Sequence, residues 1–401
     1  MPNKIEVIPQ SKMFDQAAVS VIRASQEQIS GIENWGLGSV TKTPQVIYDI
    51  NDTPLFYDFT VRRGTAVLGT VRMAASKVLG SPAVAYEVGA RSWSLKDAAE
   101  KAMPAVTKRY PGCKILSTKL VCYSYPKIGV KLEIATGRNE KIGLIYDAAD
   151  YSLVPQEPLK PGFEGSGVWS FYDSIPEQEK KQRIDTFSSI EKANEGVVEM
   201  VKKSSTGMTN LNKAITAIDI SKLKLELNIK KELSFCSHYN YNEARSHRCF
   251  VLHAQQKNDY CAVATCQMVL CYYRYYYSQD AIAPALGYHA GGGCPADQSA
   301  GYESLSNNHI DATFDNSATW AEAKNQIDAL HPMKSGIAGH ARACAGYAYT
   351  RWLFPYAITN KKLLIYDPWP WNPDYKVGGT VYWEDWDAVT HTNFVYTKLN
   401  Y

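Results

Sequence analysis

The chain has 401 residues, more than one ordinary domain, and length alone predicts two or three. Hydrophobic residues make up 45%, charged residues 21%, and the formal net charge is +3; this soluble, globular balance gives no electrostatic reason to expect nucleic acid or an acidic membrane surface as a partner. No apolar run reaches the ~18 residues of a membrane span, and Met1-Pro2-Asn3-Lys4 opens no signal-like apolar core.

Residues 14–32 read as an amphipathic helix, with Ala17, Val21, Ala24 and Ile29 near one stripe. Strands follow. Residues 45–50 turn through Asn51-Asp52-Thr53-Pro54 into 55–59, a hairpin signal, and 66–74 and 83–88 add two more. A helix over 95–110 precedes strands over 114–125, 129–135 and 142–148. Helix plus antiparallel sheet makes residues 1–155 an α+β unit. It carries no catalytic constellation: the first histidine of the chain is His238, and Cys113 and Cys122 have no base beside them.

Residues 156–221 change character. Pro155, Pro158 and Pro161 lead into a glycine-rich run, residues 162–167, that reads as linker. A helix over 184–201 places Phe187, Ile190, Val197 and Val201 on one face and stops at Lys202-Lys203-Ser204-Ser205-Thr206-Gly207, the kind of small, polar tip where proteolytic nicking concentrates. A short helix is expected over 211–218. From there Leu223, Leu225, Leu227 and Ile229 alternate with polar residues as a half-buried strand that opens the last unit, 222–401. Cys236-x-His238 and His247-x-Cys249 are mirrored about a short loop, so a zinc site, a Cys236–Cys249 disulfide and an ordinary surface loop all stay open.

The chemistry centres on residues 255–269. Ala264, Met268, Cys271 and Tyr275 recur at helical spacing and Asn258 or Asp259 can cap the start, which puts Cys261 in the first turn. There, backbone N–H groups and the helix dipole favour the thiolate, the attacking species. Gln255, six positions earlier, can join the Cys261 N–H in holding an oxyanion. The tyrosines over 272–277 read as a packing face, with substrate binding as the alternative. Gly291-Gly292-Gly293-Cys294 lacks the Lys-Ser/Thr ending of a phosphate loop, so nucleotide binding is rejected. A helix over 320–330 and a strand over 335–349 follow, the strand carrying His340 amid Gly339, Ala341, Ala343 and Ala345. Residues 363–366 form an apolar strand that ends in Asp367, whose carboxylate can fix an imidazole tautomer. Taken alone, His340 reads as a structural histidine and Asp367 as an Asp-Pro turn residue; their agreement with Cys261 reverses both.

Gln255 and Cys261-Ala262, Gly339-His340-Ala341 followed by Gly346-Tyr347, and Asp367-Pro368-Trp369 stand in the order of papain-like cysteine peptidases, and residues 252–401 resemble that family. Aspartate at the third position, where papain carries Asn, is similar to the branch of staphopain, bacteriocin-processing peptidases and some secreted plant-pathogen effectors. The resemblance implies a papain-like domain over 222–401 and a Cys261–His340–Asp367 triad with Gln255 as oxyanion donor. It also implies Trp369 or Trp371 shielding the Asp–His bond, and a cleft loop whose Cys294 could bridge to Cys266. His340 and Asp367 stand 27 positions apart, farther than relatives show, so 351–360 reads as an inserted loop. The layout of an α+β unit ahead of such a domain is similar to streptopain zymogens, which makes 1–155 an inhibitory prodomain, or else an accessory domain, and puts the mature start between Ser204 and Ser237.

Nine cysteines less one nucleophile leave eight, enough for four disulfides, with Cys113–Cys122 and Cys236–Cys249 the local pairs; this favours secretion, with the signal already removed. The expected protein is a monomeric, secreted cysteine endopeptidase without metal or other cofactor, matured by self-cleavage, with protein or peptide substrates and its own prodomain as partners. A thiol amidase or acyltransferase on the same fold, an inert papain-like binding protein, and an export leader peptidase are the alternatives.

Overall fold

The computed structural model describes residues 5–400 apart from 92, 138–139, 166, 204–224, 234–235, 237–247 and 354–357. Fifteen strands among them join in one sheet that crosses the whole chain. In the C-terminal half the order is Ile310–Asp315, Asn393–Leu399, Met333–Ile337, His340–Trp352, Ile358–Asp367 and Thr380–Asp385. The last of these pairs antiparallel with Ala83–Val88, Trp383 opposite Tyr86. The order then continues through Ala66–Ala74, Pro54–Arg63, Gln45–Asp49, Lys114–Ser124, Lys127–Ala135 and Lys141–Asp147. Gln45–Asp49 and Lys114–Ser124 run parallel.

The expected N-terminal elements are present with small shifts of boundary. The first helix spans Gln10–Gln26 and packs on Pro54–Arg63 and Ala66–Ala74. Leu95–Arg109, capped by Ser94 through the Asp97 N–H, lies on the strands from 114 to 147. The linker helix is longer than its periodicity suggested, Glu177–Lys203, and packs back on the first helix with Phe187, Val197 and Val201 buried. The cleavage tip beyond Lys203 and the short helix expected over 211–218 lie outside the described residues.

Four expectations change. The strand expected over 335–349 is a hairpin, Met333–Ile337 and His340–Trp352, because Gly339 turns the chain with φ +65°. Of the supposed insertion over 351–360, residues 351–352 continue that strand and 358–360 begin the next, with Trp352 paired to Ile358, while 354–357 lie outside the described residues. Leu225–Glu232 forms a strand as expected, but it branches off the sheet with one neighbour and leaves Leu227 and Ile229 exposed. Of the cysteine pairs only Cys236–Cys249 is a disulfide; Cys113, Cys122, Cys266 and Cys294 are free thiols. That bond takes both thiolates the zinc reading required, and His238 and His247 lie outside the described residues.

Candidate active site

Cys261 opens the Cys261–Tyr272 helix, all twelve residues of which are buried. The segment is apolar on every face rather than on one, as a helix enclosed by its own fold must be; it packs on Met333–Ile337 and His340–Trp352. Tyr260 stands at the N-cap with no side-chain capping bond, so neither Asn258 nor Asp259 caps the helix. Asp259 instead accepts from the Tyr288 hydroxyl and the Gly291 N–H, both 2.8 Å, and ties the glycine loop to the helix start.

The Gly339 turn delivers His340 to the first position of its strand. Ala341 N–H then meets Cys261 Sγ at 3.5 Å. His340 Nε2 bonds Asp367 Oδ1 at 2.8 Å, while His340 Nδ1 is buried without a hydrogen-bond partner. Nδ1 is therefore the ring nitrogen left for a thiol proton. Asp367 Oδ1 also accepts from the Trp369 N–H at 2.9 Å, and Oδ2 accepts from the Tyr382 hydroxyl at 2.9 Å. Gln255 is pinned to the same turn through its N–H to the Pro368 carbonyl, 3.0 Å; its Nε2 donates to the Lys257 carbonyl at 2.8 Å, using one of two amide hydrogens.

Electrostatics hold this group uncharged at the cysteine. Burial pushes the Cys261 thiol up to about 11, with Lys127 and the Ala341 N–H opposing and Glu164 and Asp367 adding to the rise. Burial also lowers the His340 imidazole, which Asp367 opposes and Lys127 and Arg342 reinforce. For Asp367 burial works upward, but His340, Arg342 and the Trp369 N–H outweigh it and hold the carboxyl below its ordinary value.

Residues 249–392 match the Peptidase_C39 like family. The matched segment holds Gln255, Cys261, His340 and Asp367, and the similarity is to cysteine peptidases, hydrolases of peptide bonds. No curated protein and no solved structure matches the chain.

The matched segment is contacted by residues from outside it. Phe163–Glu164 pairs antiparallel with Cys294–Pro295, and the Gly165 N–H donates to the Gly339 carbonyl at 3.0 Å, one residue from His340. Lys127, at the start of its N-terminal strand, donates Nζ to the Gly165 carbonyl at 2.7 Å. Cys261, His340 and Asp367 are all at 0% exposure. Trp369, expected over the Asp–His bond, sends its indole N–H to Asp147 at 3.0 Å, and the Trp371 indole bonds Asp150. Both tryptophans thus tie the turn after Asp367 to the N-terminal unit.

Sequence reasoning missed Lys127, Glu164 and Gly165. Each is remote in sequence from Cys261 and belongs to no motif, and the proline- and glycine-rich stretch around 155–167 signalled only an irregular backbone.

Proposed function

We propose that the chain is a cysteine endopeptidase, secreted and made as an inactive zymogen, with a Cys261–His340–Asp367 triad and Gln255 among its oxyanion donors. The observation that carries the reading is the pairing of His340 Nε2 with Asp367 Oδ1 at 2.8 Å while Nδ1 stays free and Cys261 Sγ lies 3.5 Å from the next backbone N–H. A carboxylate fixing one ring nitrogen leaves the other to act as base, the arrangement nucleophilic thiol catalysis needs.

His340 Nδ1 takes the Cys261 proton. The thiolate attacks the peptide carbonyl carbon, and the oxyanion is held by the Cys261 N–H, an orphan donor of the first helical turn, and the second Nε2 hydrogen of Gln255. Collapse breaks the C–N bond as His340 returns its proton to the leaving amine. Water, deprotonated by His340, then hydrolyses the thioester and restores the thiol.

Latency follows from the strap formed by residues 163–165. A thiol pushed to about 11 and a lowered imidazole favour the neutral pair over the reactive ion pair at neutral pH. Residues 1–155 act as the inhibitory unit because they anchor the strap through Lys127, and cleavage within 156–221 by the enzyme itself relieves it. The test is intact mass of wild type and Cys261→Ala after incubation with and without thiol from acid to neutral pH. Wild type should lose chain continuity between Pro155 and Ser237 while Cys261→Ala stays whole; if both remain intact and no unfolded protein is cut, the reading fails.

A further inference from the structure

The strap does more than cover the site: it carries a buried acid into a charged pocket. Glu164 is 2% exposed and Lys334, the second residue of Met333–Ile337, is 0% exposed, with Lys334 Nζ 2.7 Å from Glu164 Oε2. Gln298 Nε2 donates to the same oxygen at 2.8 Å, and Asn393 Nδ2 donates to Oε1 at 3.1 Å. Burial works to raise the Glu164 carboxyl, and these three donors act against it. All three come from the C-terminal half. The pocket is also held together without Glu164, since Lys334 Nζ reaches the Ala296 carbonyl at 2.7 Å and Asn393 Oδ1 at 2.6 Å. Those remaining acceptors are neutral. An empty pocket would therefore leave a buried ammonium with no counter-charge, the situation a protein interior tolerates least.

The next residue is equally constrained. Gly165 sits at φ +153°, and a Cβ there would fall 2.5 Å from Gly293 Cα and 2.9 Å from the Asp259 carbonyl oxygen. Only glycine passes. The backbone at and just before Gly165 is held by main-chain hydrogen bonds, Phe163–Glu164 to Cys294–Pro295 and the Gly165 N–H to Gly339, as a docked extended peptide would be.

We infer that this pocket is the specificity site of the enzyme and that it recognises peptides carrying an acidic side chain immediately before a glycine, the strap occupying it as a resident ligand. Lys334 supplies the charge, Gln298 and Asn393 fix the orientation of the carboxylate, and Gly293 with Asp259 exclude a side chain at the following position. The inference rests on the peptidase reading for its context, but the pocket can be tested apart from turnover.

The full chain, after incubation under activating conditions, is offered fluorogenic peptides ending Phe-Glu-Gly, Phe-Gln-Gly, Phe-Leu-Gly and Phe-Glu-Ala. The Glu-Gly peptide should exceed each of the others by at least about tenfold in kcat/KM, since each substitution leaves a buried charge unpaired or forces a Cβ into the slot. Lys334→Met should bring the Glu-to-Gln ratio close to one; the wild-type series stands whether or not that variant folds. Equal rates across the series overturn the pocket and leave the peptidase reading intact. If no peptide is cut, calorimetric titration of acetyl-Phe-Glu-Gly-amide and its Gln counterpart into the Cys261→Ala, Glu164→Ala chain decides. Tighter binding of the acid by about tenfold upholds the pocket while the peptidase reading falls, and equal or absent binding overturns the pocket as well.

Discussion

Glu27 and Lys362 form a buried ion pair across the junction of the two halves, Oε2 to Nζ 2.8 Å, and Glu27 also accepts from the Trp352 indole at 2.8 Å and the Asn360 amide at 3.1 Å. Together with the pairing of Thr380–Asp385 and Ala83–Val88, it makes the N-terminal unit part of the same sheet as the candidate active site. Cleavage within 156–221 leaves this junction untouched. The two pieces of a self-cleaved chain should therefore co-elute at neutral pH in size-exclusion chromatography and separate only in denaturant; early release of residues 1–155 would contradict it.

The same pair gives a stability test. Glu27→Ala strands the Lys362 ammonium and should cost about 3–5 kcal/mol, as breaking one side of a buried pair does. A urea midpoint unchanged from wild type would show that water or another acid takes the place of Glu27.

Asp367→Asn keeps the size of the side chain but weakens its hold on the His340 tautomer. Turnover of a peptide substrate should fall by roughly 10²- to 10⁴-fold with little change in KM, in line with what carboxylate-to-amide changes do in other triads. Retention of near-normal kcat would remove Asp367 from the triad and leave Tyr382 and Trp369 as its structural reason for burial.

The proposed latency makes the reactivity of Cys261 a test of the strap. With the thiol raised to about 11 by burial, the thiolate fraction at neutral pH is small, so carbamidomethylation by iodoacetamide should be slow at pH 7 and accelerate as pH rises. Gly165→Val, which cannot fit between Gly293 and Asp259, should expose the site and raise the neutral-pH rate by about three- to fourfold for each unit by which the thiol pKa relaxes, because the thiolate fraction rises tenfold while its nucleophilicity falls. Identical rates for the two proteins, followed by peptide mass at Cys261, would mean that the strap does not govern access.

Gln255→Ala removes a side-chain donor and should lower kcat roughly 10- to 1000-fold while KM changes little, because an oxyanion donor acts in the transition state rather than on bound substrate. A rise in KM alone would reassign Gln255 to substrate binding or to holding the turn at Pro368.

Local pattern carried a great deal of this protein. The helix head at Cys261, the small-residue strand with His340 and the apolar strand ending in Asp367 were legible because each is a short string whose period or composition states its own conformation. The hairpin at Gly339 was not: alternation of small residues continues through it, and only the positive φ of one glycine breaks the run. Asp259 was misread as a cap because a capping residue and a loop-bracing residue look the same until the loop is in place. The Cys113–Cys122 and Cys266–Cys294 pairings failed for a related reason, since even counts and nearness in sequence say nothing of where thiols meet.

The sequence by itself determined the order and residue types of Gln255, Cys261, His340 and Asp367, and the α+β character of the chain ahead of them, because these depend on neighbours within a few residues. Tertiary structure alone decided that a segment nearly a hundred residues upstream of Cys261 docks beside Asp259, Gly293 and Gly339, that Lys127 anchors that segment, that Lys334, Gln298 and Asn393 converge on Glu164, and that one sheet joins both halves. These are long-range pairings of charge, main-chain hydrogen bonds and excluded volume, and their energies exist only once residues far apart in the chain are brought to within a few ångströms.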